Sequence, residues 1–222
     1  LTHHAQALLE PRKTPVQARS TASVSAILEA TIQVLLDVGK ERLTTTRVAA
    51  RAGVSVGTLY QYFPNKSALL QAVLRRHFSE LTDAIDAVCR EQRGTSLSQM
   101  ATALVTAFLE AKMRDVSTSA ALYSVGGDVD AAKIVRHVGI RTSKAVAEML
   151  ATASEPLMVD PQLVASMLQA TLAGVSRRLL ESHSPEREVE IFRRELIVLA
   201  CAYLKACSLG SSQKRRSAAL GS

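Results

Sequence analysis

Tryptophan is absent from this chain of 222 residues, and tyrosine and phenylalanine number four each. So few aromatics exclude a wide aromatic cage and leave an interior built mainly from aliphatic side chains. Cysteine is equally scarce. Cys89, Cys201 and Cys207 are too few and too scattered for a disulfide framework, and their spacings match no zinc motif. They read as small buried hydrophobes in a reducing cytoplasm. No apolar run reaches the roughly 18 residues needed to span a bilayer, and no secretory signal opens the chain. The expectation is a cytoplasmic protein with no membrane span. Strand-like alternation with hairpin turns is missing throughout, and helical periodicity fills its place. The expected fold class is therefore all-α.

Catalytic constellations are missing too. The five histidines are His3, His4, His77, His137 and His183, and no His-x3-His or carboxylate-histidine pair falls on a helix. Asp128 and Asp130 follow a glycine pair but lack the further acids of a calcium loop. The sequence implies no enzyme, no metal and no cofactor.

Negative charge is scarce at one end only. Residues 1–76 hold ten Lys/Arg against four Asp/Glu, whereas residues 77–213 hold 14 against 16. Lys214, Arg215 and Arg216 supply the rest of a formal net charge of +7. A basic end on a near-neutral body is the footprint of nucleic-acid binding. Acidic membranes also attract basic ends, but no amphipathic anchor accompanies this one.

Along the chain, residues 1–19 contain Pro11 and Pro15 and read as a flexible basic arm. Residues 21–38 form a helix with Val24, Ile27, Leu28, Thr31 and Leu35 on one stripe and Gly39 as its stop. A long helix runs from Lys66 to about Arg90. Gly94 breaks it, and Ser96 or Ser98 starts the next. A short helical turn is expected over 117–123, and Gly126-Gly127-Asp128 is the clearest internal break. Three helices follow, over about 129–152, 161–182 and 185–206. Asp160-Pro161 and Ser184-Pro185 each place a capping residue before a proline at the first helical position. Residues 209–222 read as a disordered tail.

The densest signal is residues 44–66, TTTRVAARAGVSVGTLYQYFPNK. Val48, Ala52, Val54, Leu59 and Tyr62 fall where two short helices joined by a turn bury their inner face. Ala49 sits where they cross, and Gly53 sits at the turn, where positive φ is needed. Thr44 is the expected N-cap of the first of these helices. The second presents small, hydroxyl and amide groups on its outer face. Gly57 there costs about 1 kcal/mol relative to alanine, so something is expected to approach the backbone closely.

The run RVAARAGVSVGTLYQYFPNKSALL, residues 47–70, resembles the DNA-binding domain of TetR-family transcriptional regulators. The glycine-threonine-leucine-tyrosine core, the Tyr62-Phe63-Pro64 stop and the following lysine all match that family's pattern. Beyond about residue 75 only the layout matches. The resemblance implies a three-helix DNA-binding head over residues 20–66 and a helical regulatory and dimerisation body over residues 67–208. It implies a homodimer that binds a pseudo-palindromic double-stranded DNA operator. It also implies a small-molecule effector that enters a pocket in the body and releases the DNA. A regulator without such a ligand, controlled by a protein partner, shares every DNA-contact residue.

The residue roles follow from their chemistry. Thr44 and Thr45 are candidates for phosphate, and Arg47 for phosphate or a base. Ser55, Val56 and Gly57 would approach base edges, with Val56 able to touch a thymine methyl, and Gln61 is the best candidate for base readout. Thr58, Tyr60 and Tyr62 would hold the sugar-phosphate backbone, and Lys66 would reach phosphate. Arg12, Lys13 and Arg19 of the arm are candidates for further DNA contacts. The candidate pocket residues are Phe78, Leu81, Ile85, Phe108, Met113, Tyr123, His137 and Met167, with small side chains over 95–150 leaving room for a slim, largely apolar ligand. The candidate dimer residues are Met167, Leu168, Leu172, Val175 and Leu179 on one helix and Phe192, Leu196, Leu199 and Tyr203 on the next. Helices apolar on more than one face bury more than one face, either between subunits or at the centre of the monomer.

Overall fold

The computed structural model describes residues 15–125 and 129–209, and these form two compact units that divide between Val73 and Leu74. The first unit holds α1 (Pro15–Arg42), α2 (Thr45–Ala52), α3 (Val56–Tyr62) and the first two turns of α4 (Lys66–Glu91). The second holds the rest of α4, then α5 (Leu97–Met113), α6 (Val116–Val125), α7 (Val129–Leu150), α8 (Pro161–Leu180) and α9 (Pro185–Leu209). The expected boundary at 66/67 thus falls seven residues before the division between the units.

Helix α1 starts earlier than the sequence pattern suggests. Its backbone is helical from Pro15, where a missing N–H would be unpaired in any case. The part of the arm and of the tail outside the helices, residues 1–14 and 210–222, lies outside the described residues, as does Gly126-Gly127-Asp128. The stop at Gly39 is real: its φ of 75° and ψ of 168° break the helix, and one further turn to Arg42 follows.

Core formation in the first unit follows the stripe. Ile27, Leu28, Ala30, Thr31, Val34 and Leu35 of α1 are buried with Leu43, Val48, Ala49, Leu59, Phe63, Leu69, Leu70 and Val73. The Thr31 hydroxyl donates to the Ile27 carbonyl at 2.7 Å, so it enters the core already satisfied. Length and composition alone would also let Ser20–Arg42 cross a membrane, with a mean hydropathy of 1.4. This corrects the expectation that no run qualifies. The burial of the stripe explains the apolarity by packing within the unit.

The second unit is a helical bundle with one contiguous core. Leu81, Ile85, Met100, Leu104, Val105, Leu109, Met149, Leu150, Val164, Leu168, Leu172, Leu179, Leu196 and Leu204 belong to it. Its helix starts are chemically marked. Ser96 makes a capping box with Gln99, and Asp160 accepts from the Gln162 N–H ahead of Pro161. Helix α6 is longer than the single turn expected over 117–123, because Asp115 accepts from both the Thr118 N–H and its hydroxyl and so caps it.

Leu59 is fully buried, as are Ile27, Leu43, Val48 and Leu69 of the same unit. Leu59→Ala is expected to destabilise the first unit by about 2–5 kcal/mol. Denaturant unfolding monitored by helical circular dichroism checks this, and a loss below about 1 kcal/mol would contradict the packing described.

Candidate nucleic-acid interface and cavity

Local chemistry explains why residues 44–62 make two short helices. Thr44 has extended backbone, and its hydroxyl accepts from the Arg47 N–H at 3.2 Å. Gly53 then takes the left-handed conformation, with φ of 68°, and ends α2. Ser55 caps α3 by accepting from the Thr58 N–H at 3.0 Å, and its hydroxyl also meets that of Thr58 at 2.8 Å. The hydroxyls of Thr45 and Tyr60 lie 3.1 Å apart and tie α2 to α3. Arg51 pairs with Asp37 and donates to Gln33, which links α2 to α1 on an exposed surface.

The outer face of this pair carries most of the expected contact residues. Thr44, Arg47, Ser55, Val56, Gly57, Tyr60 and Gln61 are exposed, and Thr45, Thr58 and Tyr62 are half-buried. Lys66 is placed differently from its expected role. Its ammonium donates to the Lys40 carbonyl at 2.6 Å, just beyond the break in α1. There it satisfies a helix-end carbonyl, as cations at helix C-termini do. Gly57 has no internal reason to be glycine. Its φ is not positive, and a Cβ there would meet only the Ser55 hydroxyl, at 3.7 Å.

The second unit contains a partly open cavity of about 430 Å³, within the roughly 300–1,000 Å³ usual for small-ligand sites. Phe78, Leu81 and Ile85 of α4, Phe108 of α5 and Tyr123 of α6 line it. Three expected residues do not: Met113 packs half-buried against the core, while His137 and Met167 are exposed. Room comes from small side chains on α7 and α8, among them Gly139, Ser143, Ala165, Ala173 and Ser176. A Cβ on Gly139 would come within 3.2 Å of the Gln169 amide.

The polar lining went unread in the sequence. Thr142 accepts from Gln169 at 3.0 Å and donates to the Val138 carbonyl, Ser143 accepts from Gln162 at 2.7 Å, and Ser119 donates to the Lys112 carbonyl. His77 and Lys112 also line the cavity. Lys112 is only 7% exposed, and its ammonium lies 5.4 Å from the centre of the Phe78 ring. Burial holds its pKa below the ordinary lysine value. A signal for it was present: Leu104, Phe108 and Lys112 recur every fourth residue, so the lysine sits on the apolar stripe of α5. Arg177 also lines the cavity, over the Tyr123 ring at 5.6 Å and bonded to Glu181 at 2.8 Å. Among the described residues that line the cavity, none is Asp or Glu.

Two family models divide the chain as the structure does. One for bacterial regulatory proteins of the tetR family matches residues 27–73, and one for the tetracyclin repressor-like C-terminal domain matches residues 96–204. The chain belongs to the TetR family. Among curated relatives, the nucleoid occlusion factor SlmA of Haemophilus ducreyi is 43% identical over 60 residues, 27% of this chain. The HTH-type transcriptional regulator BetI of Escherichia coli is 39% identical over 59 residues, again 27% of this chain. The match spans 30% of the length of either relative. Solved structures share the fold over most of the chain. A transcriptional regulator from Cytophaga hutchinsonii superposes with a TM-score of 0.66 at 18% identity, covering 84% of this chain and 99% of its own. A TetR/AcrR-family regulator from Thermobifida fusca gives 0.62 at 17% identity, covering 78% and 96%. The likeness to both is one of fold.

In this TetR-family chain the candidate dimer residues divide by burial. Leu168, Leu172, Leu179 and Leu196 are buried within the protomer, where core packing leaves them no surface for a second copy. Val175, Phe192 and Tyr203 are half-buried and pack against the same core. Met167 and Leu199 remain about half exposed. The buried Cys89 thiol is pushed up to about 11 by burial, which keeps it protonated and unreactive.

His77 gives the body a pH signature. Burial, reinforced by the neighbouring Lys112 ammonium, lowers its pKa from 6.5 to about 4. Between these values the unfolded chain binds a proton that the folded chain does not. The resulting stabilisation is complete above about 6.5 and is lost as pH falls towards 4. Urea titrations at about pH 7 and about pH 4.5 are expected to show this decline, and His77→Gln is expected to reduce it. An identical decline in both proteins would assign it to other groups.

Proposed function

We propose that this TetR-family chain is a sequence-specific DNA-binding transcriptional regulator. It acts as a homodimeric repressor that a small, largely apolar ligand releases from a pseudo-palindromic operator. Gly57 carries the DNA part of this reading. It lies inside an exposed helix with open space around it, so neither backbone strain nor internal packing calls for glycine. An outside surface that approaches α3 closely does call for it. The basic first unit and the exposed Ser55, Val56 and Gln61 fit a major groove, with Thr44, Thr45, Arg47, Thr58, Tyr60 and Tyr62 placed for backbone contacts. Lys66 also supports the head from within through its bond to the Lys40 carbonyl.

Gly57→Ala separates these roles. It is expected to stabilise the isolated protein by about 0.5–1 kcal/mol, because alanine favours helix. It is also expected to weaken operator binding by at least about tenfold, equivalent to about 1.4 kcal/mol. Thermal unfolding and fluorescence anisotropy on a duplex selected from a random pool check the two halves. A variant that is more stable and binds DNA equally well would remove the argument from Gly57.

The dimer reading rests on exposed apolar side chains of α8 and α9. Leu163 and Met167 are followed by exposed Ala170 and Gly174 at helical spacing, and Ile191, Val198 and Leu199 are about half exposed or more. A Cβ on Gly174 would meet nothing within 4 Å, so a close partner helix again accounts for the glycine. Val198→Glu is expected to yield a helical monomer at micromolar concentration by sedimentation, because it buries an unpaired charge in the contact. An unchanged dimer would place the interface elsewhere. The cavity in the body favours ligand release over control by a protein partner alone, which needs no such space.

A further inference from the structure

The cavity wall is unusual in its charge. Buried ammonium groups are strongly disfavoured without a partner, and the expected solution is an ion pair with hydrogen bonds. Lys112 receives neither from the described residues, and its one close polar interaction is the face of Phe78. The side chain is more than nine-tenths buried and lines the cavity. A nearby acid, Asp115, does not fill the role. Its two oxygens accept from the Thr118 N–H at 2.9 Å and the Thr118 hydroxyl at 2.6 Å, capping α6. His77, lowered in pKa by burial, adds no negative charge, and Arg177 is a second cation already paired with Glu181. The wall hydroxyls of Thr142, Ser119 and Ser176 already donate to main-chain carbonyls. Among the described residues the lining therefore offers a cation with no ion-pair partner, a mostly aliphatic surface and no acid.

We propose that this cavity takes an organic monoanion, a compact apolar body carrying one carboxylate, and that the carboxylate pairs with Nζ of Lys112. The assignment narrows the ligand of the regulatory reading above and rests on that reading only for its effect on DNA. The apolar body would displace water from the aliphatic wall, and the carboxylate would supply the counter-charge that Lys112 lacks. Cationic ligands are excluded by the same field, since Lys112 and Arg177 repel them. Neutral ligands of the same shape leave Lys112 unsatisfied and bind more weakly.

The test uses the full chain and isothermal titration calorimetry with octanoate, decanoate, dodecanoate and 4-phenylbutyrate. Each acid is compared with its primary alcohol and its primary amine. At least one acid is expected to bind at least about tenfold more tightly than its alcohol, the value of one charge-assisted hydrogen bond. The amines are expected not to bind. Lys112→Met should remove the preference for acid over alcohol while leaving the alcohol bound, and Lys112→Arg should restore part of it. The preference is a ratio within one protein, so a general loss of stability does not produce it. Equal affinity for acid and alcohol, failure of every acid, or an unchanged preference in Lys112→Met overturns the proposal. Operator release, read by anisotropy in the same titrations, separates the two readings. An acid that binds through Lys112 without releasing DNA supports the site and sinks the release mechanism. Release by neutral alcohols alone does the reverse.

Discussion

A helix of seven residues cannot hold itself together in water, and everything in the first unit answers that constraint. Nucleation is unfavourable, so isolated helices shorter than about 12–15 residues are marginal. Helix α3 spans Val56–Tyr62 and exists because its surroundings fix it. Ser55 satisfies its first turn, Leu59 anchors its inner face at zero exposure, and the Thr45–Tyr60 contact ties its side. Gly53 sets the angle at which it leaves α2. A surface element with so little stability of its own can present a glycine and several hydroxyls outwards, because its fold does not depend on the exposed face. Lys66 extends this logic. A cation that the sequence suggests for phosphate is engaged with the Lys40 carbonyl, and the head gains a link between α1 and the start of α4.

The second unit solves an opposite problem. Its helices are long enough to be stable on packing alone, and its core is large. Space within it therefore has to be made. Glycine, alanine and serine on α7 and α8 make that space at the level of the wall. Hydroxyls turned back onto carbonyls keep the wall from being polar towards the interior. Among the described lining residues, Lys112 departs from this pattern as a buried cation without an ion-pair partner. Its stem packs along the apolar stripe of α5, so the position would read as core by spacing, yet burial disfavours its charge and lowers its pKa. Evolutionary tolerance of such a residue is easier to understand where a counter-charge visits than where none does.

These physical differences also decide what was legible in the sequence. The head was readable because its signals are local. A cap, a positive-φ glycine and an inner stripe each lie within a few residues of what they determine, and Thr44, Gly53 and Leu59 behave accordingly. The helix starts at Ser96, Asp160 and Pro185 were readable for the same reason. The cavity was half readable. Phe78, Leu81, Ile85 and Phe108 follow from one apolar stripe per helix, but Met113 and His137 show that a stripe does not reveal which side faces a void. Thr142 and Gln169 meet from different helices 27 residues apart, a pairing that periodicity cannot supply. The dimer candidates divide by burial for a related reason. Leu168 and Leu196 are as apolar as Met167 and Leu199, and only the packing of α8, α9 and α5 decides which side is covered.

Regulation sets a final physical condition on any ligand of this cavity. A ligand shifts an equilibrium only by its difference in affinity between the two states, so tight binding alone releases nothing. The cavity and the first unit share one covalent element, α4, which contributes Leu69, Leu70 and Val73 to the core of the first unit and Leu74, Phe78, Leu81 and Ile85 to the cavity lining. About three of its turns thus face whatever fills the cavity. Phe78 is the informative member, because it is also the residue over which the Lys112 ammonium lies. A carboxylate that draws Lys112 into an ion pair competes with that ring contact and changes the environment of α4 through chemistry rather than bulk. The difference needed is modest: couplings of about 1–3 kcal/mol alter affinity by about 5–150-fold. In the proposed reading, the same thermodynamic cycle requires operator DNA to weaken the ligand by the factor with which the ligand weakens DNA.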